Sequence, residues 1–197
     1  MSSRLRLTLM ALATAVIVAA AVVVLTTSTS SSGRGTVGFA GGIRPPGAPV
    51  DFTLRDEAGH AVSTRDLRGR PAIVTFLYTA CKDDCPTIAA QIRLALDRLQ
   101  TAVPVLAVTV DPANDTQAAR RRFLRRQHLK GDMRFLSGSP AELERVWSTF
   151  GIRPQERGLE HTAYVVLLGR DGRQRVGFPV DKVTPEGIVH DVRILAG

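Results

Sequence analysis

The spacing of apolar side chains changes character several times along the chain, and each change predicts an element. Residues 7–25 carry no charge and are built from Leu, Ala, Val, Ile, Met and Thr. That run is longer than the roughly 7–15 apolar residues of a signal peptide and within the roughly 17–25 of a spanning helix, so it predicts a transmembrane signal-anchor. Cleavage among the small residues 26–32 is the alternative. Arg4 and Arg6 hold residues 1–6 in the cytoplasm and send the rest of the chain outside, which predicts a single-pass cell-membrane protein with an extracytoplasmic C-terminal domain. Residues 26–49 are rich in Ser, Thr, Gly and Pro and too poor in large apolar side chains to pack, which predicts a flexible tether.

From Val50 to Gly197 no repeat or second linker interrupts the pattern, which predicts one domain over 50–197. Phe52 and Leu54 alternate with polar neighbours, Asp56 and Gly59 supply a turn, and Val62 resumes the alternation, so a small N-terminal β-hairpin leads into Leu67 at the domain's edge. Residues 72–78 form a short apolar run suited to a buried central strand. After Pro86, apolar residues Ile88, Ile92, Ala95, Leu96 and Leu99 recur at helical spacing. Residues 103–110 predict a second buried strand, and Asp115 or Thr116 caps a helix running to about Gln127. A short strand over 133–136 precedes a helix that starts at Ser139 and Pro140 and ends at Gly151. Strands over 162–168 and 173–178 flank the turn Gly169-Arg-Asp-Gly172, and 184–195 closes the chain as a helix. The sum is α/β, a mixed sheet flanked by helices.

Charge changes this picture little. The net charge is +8, of which Arg4, Arg6 and Arg34 supply three, so the domain is basic without being polybasic. Arg120, Arg121, Arg122, Arg125, Arg126 and Lys130 concentrate the excess, either as a contact for anionic lipid or an acidic partner or as a solvated helix face whose Arg stems cover apolar surface. An extracytoplasmic location argues against nucleic acid as a partner.

The chemistry resides in two cysteines, Cys81 and Cys85, the only ones in the chain. In an oxidising compartment they are a structural disulfide, a redox pair or soft-metal ligands. They enclose only Lys82, Asp83 and Asp84, so a staple would gain little loop entropy. They lie between a predicted central strand and a helix N-terminus, where free amides and the helix dipole favour the thiolate that redox exchange and metal binding both require. Asp83 and Asp84 oppose that effect and Lys82 partly offsets them. Two thiolates with one imidazole suit copper, with zinc as competitor. His60, His128 and His190 read as surface residues. His161 stands at the start of a strand after a Gly/Pro-containing loop, as a ligand or as a structural histidine.

Three separated motifs then carry a resemblance over most of residues 50–195. C-K-D-D-C-P at 81–86, T-V-D-P-A-N-D-T at 109–116 and L-E-H-T-A-Y-V-V-L-L-G-R-D-G at 159–172 resemble the Sco/SenC family of copper-handling, thioredoxin-fold proteins. Departures are Glu160 where Asp is frequent, Thr162 where Ser is common and Gln117 where Pro often follows. The resemblance implies a thioredoxin-like domain in which Cys81, Cys85 and His161 bind Cu(I) or Cu(II). It implies a metallochaperone for the binuclear copper site of cytochrome c oxidase, with that copper-site subunit, other copper chaperones and thiol–disulfide reductants as partners. Thiol–disulfide reductase activity of the Cys81–Cys85 pair follows from the same resemblance. A thiol–disulfide oxidoreductase or a cysteine peroxidase independent of copper is the competing function. Asp111, Asp115 and Glu160 are candidates to orient His161 or tune the loop, with capping and turn formation as the alternative for the two Asp residues.

Overall fold

A computed structural model describes residues 38–45, 47–153 and 164–197. In chain order the elements are β1 (Gly42–Ile43), β2 (Thr53–Arg55), β3 (Ala61–Ser63), a 3-10 turn (Thr64–Leu67), β4 (Ala72–Leu77), α1 (Asp84–Arg98), β5 (Val105–Thr109) and α2 (Gln117–Arg126). They continue with β6 (Met133–Leu136), α3 (Pro140–Phe150), β7 (Tyr164–Leu168), β8 (Gln174–Pro179) and α4 (Pro185–Ala196). Phe39–Gly197 is one compact unit.

Six strands form a mixed sheet in the order β1-β8-β7-β4-β5-β6. β4, β5 and β6 run parallel, while β7, β8 and β1 pair antiparallel. β4 is buried at every position, and its pleat explains why its sequence shows no polar alternation. Ile73 and Leu77 enter one core with Ile88 and Ile92 of α1 and Ile188 and Val192 of α4. Val74 and Phe76 enter the other with Leu143, Trp147 and Phe150 of α3.

Local signals set the helix ends. Ser139 and Glu142 form a reciprocal capping box at α3, Pro140 takes the first turn, and Gly151 ends the helix in the left-handed region at φ 69. Of the two cap candidates at α2, Thr116 is the one used, its side chain accepting from the Ala119 amide at 3.2 Å. α1 begins at Asp84 with Pro86 in its first turn, which places Cys85 inside the helix.

The ordered fold reaches back beyond Val50 into the stretch expected to be tether. Gly42 and Ile43 pair with Gly177 and Val176 of β8. The amides of Ala40 and Gly41 donate to the buried Asp191 carboxylate at 2.7 and 2.9 Å. Backbone groups do this work; Ile43 is 77% exposed, so no apolar pattern betrayed the strand. The β2–β3 hairpin is present as expected, but Arg55 also exchanges backbone hydrogen bonds with Ser137 at 2.9 and 2.8 Å, which ties the hairpin to the end of β6. The expected signal-anchor over 7–25 and the tether up to residue 37 lie outside the described residues. Among the described residues no helix is long and apolar enough to cross a membrane.

Candidate metal and thiol site

The cysteine loop leaves the C-terminal end of β4, where the parallel strand β5 also ends. Four hydrogen bonds hold that end. The Val110 amide donates to the Leu77 carbonyl at 3.0 Å. The Thr79 amide donates to Asp115 Oδ1 at 2.8 Å, and the Thr109 hydroxyl donates to Asp115 Oδ2 at 2.5 Å. The indole N–H of Trp147 donates to the Thr109 carbonyl at 3.0 Å. Asp115 is buried, and burial pushes its carboxyl up although the bonds from Thr109 and Thr79 pull the other way. Asp115 therefore fixes the backbone two residues before Cys81. Asp111 instead accepts from the Asn114 side chain at 3.0 and 2.9 Å and shapes the turn after β5.

Asp115 is itself braced by Arg120, a buried cation on α2. The Arg120 side chain donates to the carbonyls of Asp115 at 3.1 Å and Arg55 at 3.3 Å, and to that of Phe135. Burial lowers its pKa, opposed by Glu57, Asp115 and Asp56 nearby. Helix α2, the hairpin and the cysteine loop thus share one hydrogen-bonded junction. Sequence reasoning placed Arg120 in a surface cluster; its position in the stripe with Phe123 and Leu124 was the available signal.

The two cysteines come together but differ in environment. Cys81 is half-buried, and its Sγ accepts the Cys85 amide at 3.3 Å, one of the free N–H groups at the start of α1. Cys85 is fully buried in the first turn of α1, on the same stripe as Ile88 and Ile92. At Cys85 burial outweighs the helix N-terminus: it pushes the thiol up, and the neighbouring Cys81 and Asp84 add to the rise. No disulfide joins the two sulfurs.

Tyr78 completes the described site and was not anticipated. Its phenol is pushed up to about 12, chiefly by burial and then by Cys81, to which it is hydrogen-bonded, with Cys85 and Asp111 adding smaller effects. An aromatic with a polar tip directly after a fully buried strand and three residues before Cys81 was the signal for it.

His161 and Glu160 lie outside the described residues. Tyr164 opens β7, Val165 stands opposite Thr75, and the Thr75 hydroxyl donates to the Tyr164 carbonyl at 3.0 Å, so the chain enters β7 at the end of the sheet where β4 delivers the cysteine loop. The other three histidines are on the surface as expected. His60 is 79% exposed beside Asp56, His128 is exposed at φ 55, and His190 pairs with Asp191 at 2.8 Å. Among the described residues no three His, Cys, Asp or Glu side chains are grouped to hold a metal ion. The pair of adjacent sulfurs supplies two soft donors, which fits copper or zinc and leaves a further ligand to come from elsewhere.

Comparison with known proteins gives one consistent result. The SCO1/SenC family profile matches residues 45–197. The mitochondrial SCO2 homolog of Bos taurus is 27% identical over 135 residues, which is 62% of this chain and 50% of that protein, so the chain spans half of that relative's length. The apo Sco1 protein from Thermus thermophilus has a similar fold, with a TM-score of 0.69 and 28% identity over 80% of this chain and 97% of that one. Bradyrhizobium japonicum ScoI, whose structure has copper bound, superposes with a TM-score of 0.64 and 31% identity over 76% of this chain and 99% of that one.

Proposed function

This chain belongs to the SCO1/SenC family, and from that premise we propose that it is a membrane-tethered, extracytoplasmic metallochaperone that carries copper on Cys81, Cys85 and His161. The observation that carries the reading is the adjacency of the two sulfurs at the N-terminus of α1, with the Cys85 amide on Cys81 Sγ at 3.3 Å, in a chain 31% identical to a relative with copper bound. Copper is the cargo. Cys81, the half-buried sulfur, is the donor that a recipient's thiolate reaches first; Cys85 gives up its proton on binding, so loading releases protons and weakens at low pH. His161 supplies the third, neutral donor from the segment that enters β7. The recipient is the binuclear copper site of cytochrome c oxidase, and residues 7–25 hold the domain at the membrane that houses it. Metal analysis of the reduced protein checks the ligands. One copper per chain is expected, with loss of that copper in Cys81→Ser and in Cys85→Ser and no displacement by equimolar zinc; retention by either variant contradicts the proposal.

The contrast between an accessible and a buried sulfur favours a second reading for the same pair. As a thiol–disulfide oxidoreductase, Cys81 thiolate attacks a partner disulfide, its S–S bond breaks, and a mixed disulfide forms. Cys85 then resolves it, two electrons pass to the partner and the chain leaves as the Cys81–Cys85 disulfide. This reaction requires both cysteines and not His161, so partner reduction that persists in His161→Ala separates it from copper transfer.

A further inference from the structure

Helix α2 carries more positive charge than the fold uses. Arg120 is consumed by the junction beneath it, and Arg121 donates to the Glu57 carbonyl at 2.8 Å. Arg122, Arg125, Arg126 and Lys130 are exposed, and none of their side chains has a hydrogen bond or ion pair among the described residues. At about 100° per residue, Arg121, Arg122, Arg125 and Arg126 spread over roughly 140° of the helix, opposite the buried Phe123 and Leu124. Like charges one turn apart, Arg121 with Arg125 and Arg122 with Arg126, weaken a helix, and no acid on Gln117–Arg126 relieves them. Between the arginines' face and the helix start stand the small side chains of Ala118 and Ala119, exposed and half-buried, which let a broad surface approach closely.

We propose that this outer face of α2 docks on an anionic phospholipid surface. The inference rests on the membrane-tethered reading above. As the Ser/Thr/Gly-rich linker that the sequence predicts, the 13 residues 26–38 would span roughly 20 Å, against a domain radius of gyration of about 15 Å. The domain is then held within its own dimensions of the lipid, at high effective concentration for any lipid-binding face. A convex cationic helix without a cleft suits a broad anionic surface rather than a small anion, and without an exposed aromatic or aliphatic wedge it engages headgroups and does not insert. α2 packs on β6 at the edge of the sheet, with Phe123 and Phe135 rings 5.6 Å apart. Docking on it sets that edge toward the lipid and leaves the Cys81 end, at the strand termini, open along the membrane to a partner embedded beside it.

Hydrogen exchange of the full chain tests this in vesicles of phosphatidylcholine alone and of phosphatidylcholine mixed equally with phosphatidylglycerol. Exchange over residues 117–126 is expected to slow about tenfold on the anionic vesicles. That protection is expected to vanish at high salt and in the Arg122→Gln/Arg126→Gln double variant, with copper content unchanged. Equal exchange on both lipids, or protection that the double variant retains, overturns the proposal. So does equal protection by polyglutamate without vesicles, which marks the face as a protein-binding one. Flotation separates the two claims. A chain that floats with neutral vesicles is anchored, one that floats only with anionic vesicles docks without an anchor, and one that floats with neither overturns both.

Discussion

Two buried aspartates, one at each end of the fold's logic, hold backbone amides in place with different consequences. Asp115 accepts from Thr79 and Thr109 at a point where β4, β5, α2 and the hairpin meet; Thr109 is buried, and Arg120 braces Asp115 itself. Asp191 accepts from Ala40 and Gly41 and secures β1, a two-residue edge strand whose Ile43 faces solvent. The bonds are similar in length; what differs is what collapses when they are lost. Removing Asp115 strands donors inside the core, whereas removing Asp191 frees a segment that water can solvate.

The largest effect is therefore expected for Asp115→Ala, a loss of about 3 kcal/mol of stability read by denaturant unfolding. The fluorescence of Trp147, the single tryptophan, should change as well, because its indole bonds to Thr109. A loss below about 0.5 kcal/mol, the scale of an ordinary surface substitution, would break the comparison. Next in size is the difference between the sulfurs. In a brief iodoacetamide pulse on the reduced protein, Cys81 is expected to be alkylated at least about tenfold faster than Cys85, since Cys85 is buried and its thiol pKa is raised. Peptide mass spectrometry should find that gap narrowed in Asp115→Ala and unchanged in Asp191→Ala; the reverse pattern would show that Asp115 does not position the loop.

Asp191→Ala is expected to cost only about 1 kcal/mol overall while the amides of residues 40–43 lose their exchange protection. The smallest effect is Ile43→Thr, within about 0.5 kcal/mol by thermal or denaturant unfolding, because the side chain buries nothing. A larger loss would mean that β1 is held by more than its backbone.

The same contrast explains what the sequence made legible. Elements that announce themselves through side chains were found where they stand: the Ser139 cap and Gly151 terminus of α3, the hairpin turn at Gly169–Gly172 and the wholly buried β4. β1 left no trace because backbone hydrogen bonds to Asp191 and β8 make it. The cysteine pair was legible from its spacing and its place between strand and helix. Its asymmetry was half-visible, since Cys85, Ile88, Ala89 and Ile92 fall on one helical stripe, and such a stripe is buried. Asp115 was left between tuning the cysteine loop and forming a turn, and Arg120 was read as a surface charge, because their partners, Thr79, Arg55 and Phe135, are distant in sequence and meet them only in the folded chain.

The central claim is that copper sits on Cys81, Cys85 and a histidine brought to them by the segment before β7. A copper titration of the reduced full chain, comparing His161→Ala with His190→Ala, tests it most directly. The account predicts that His190→Ala binds one equivalent as the unmodified protein does, while His161→Ala binds at least about a hundredfold more weakly, since losing even a partner that orients a ligand costs about 10–100-fold. Equal affinity in the two variants would contradict it.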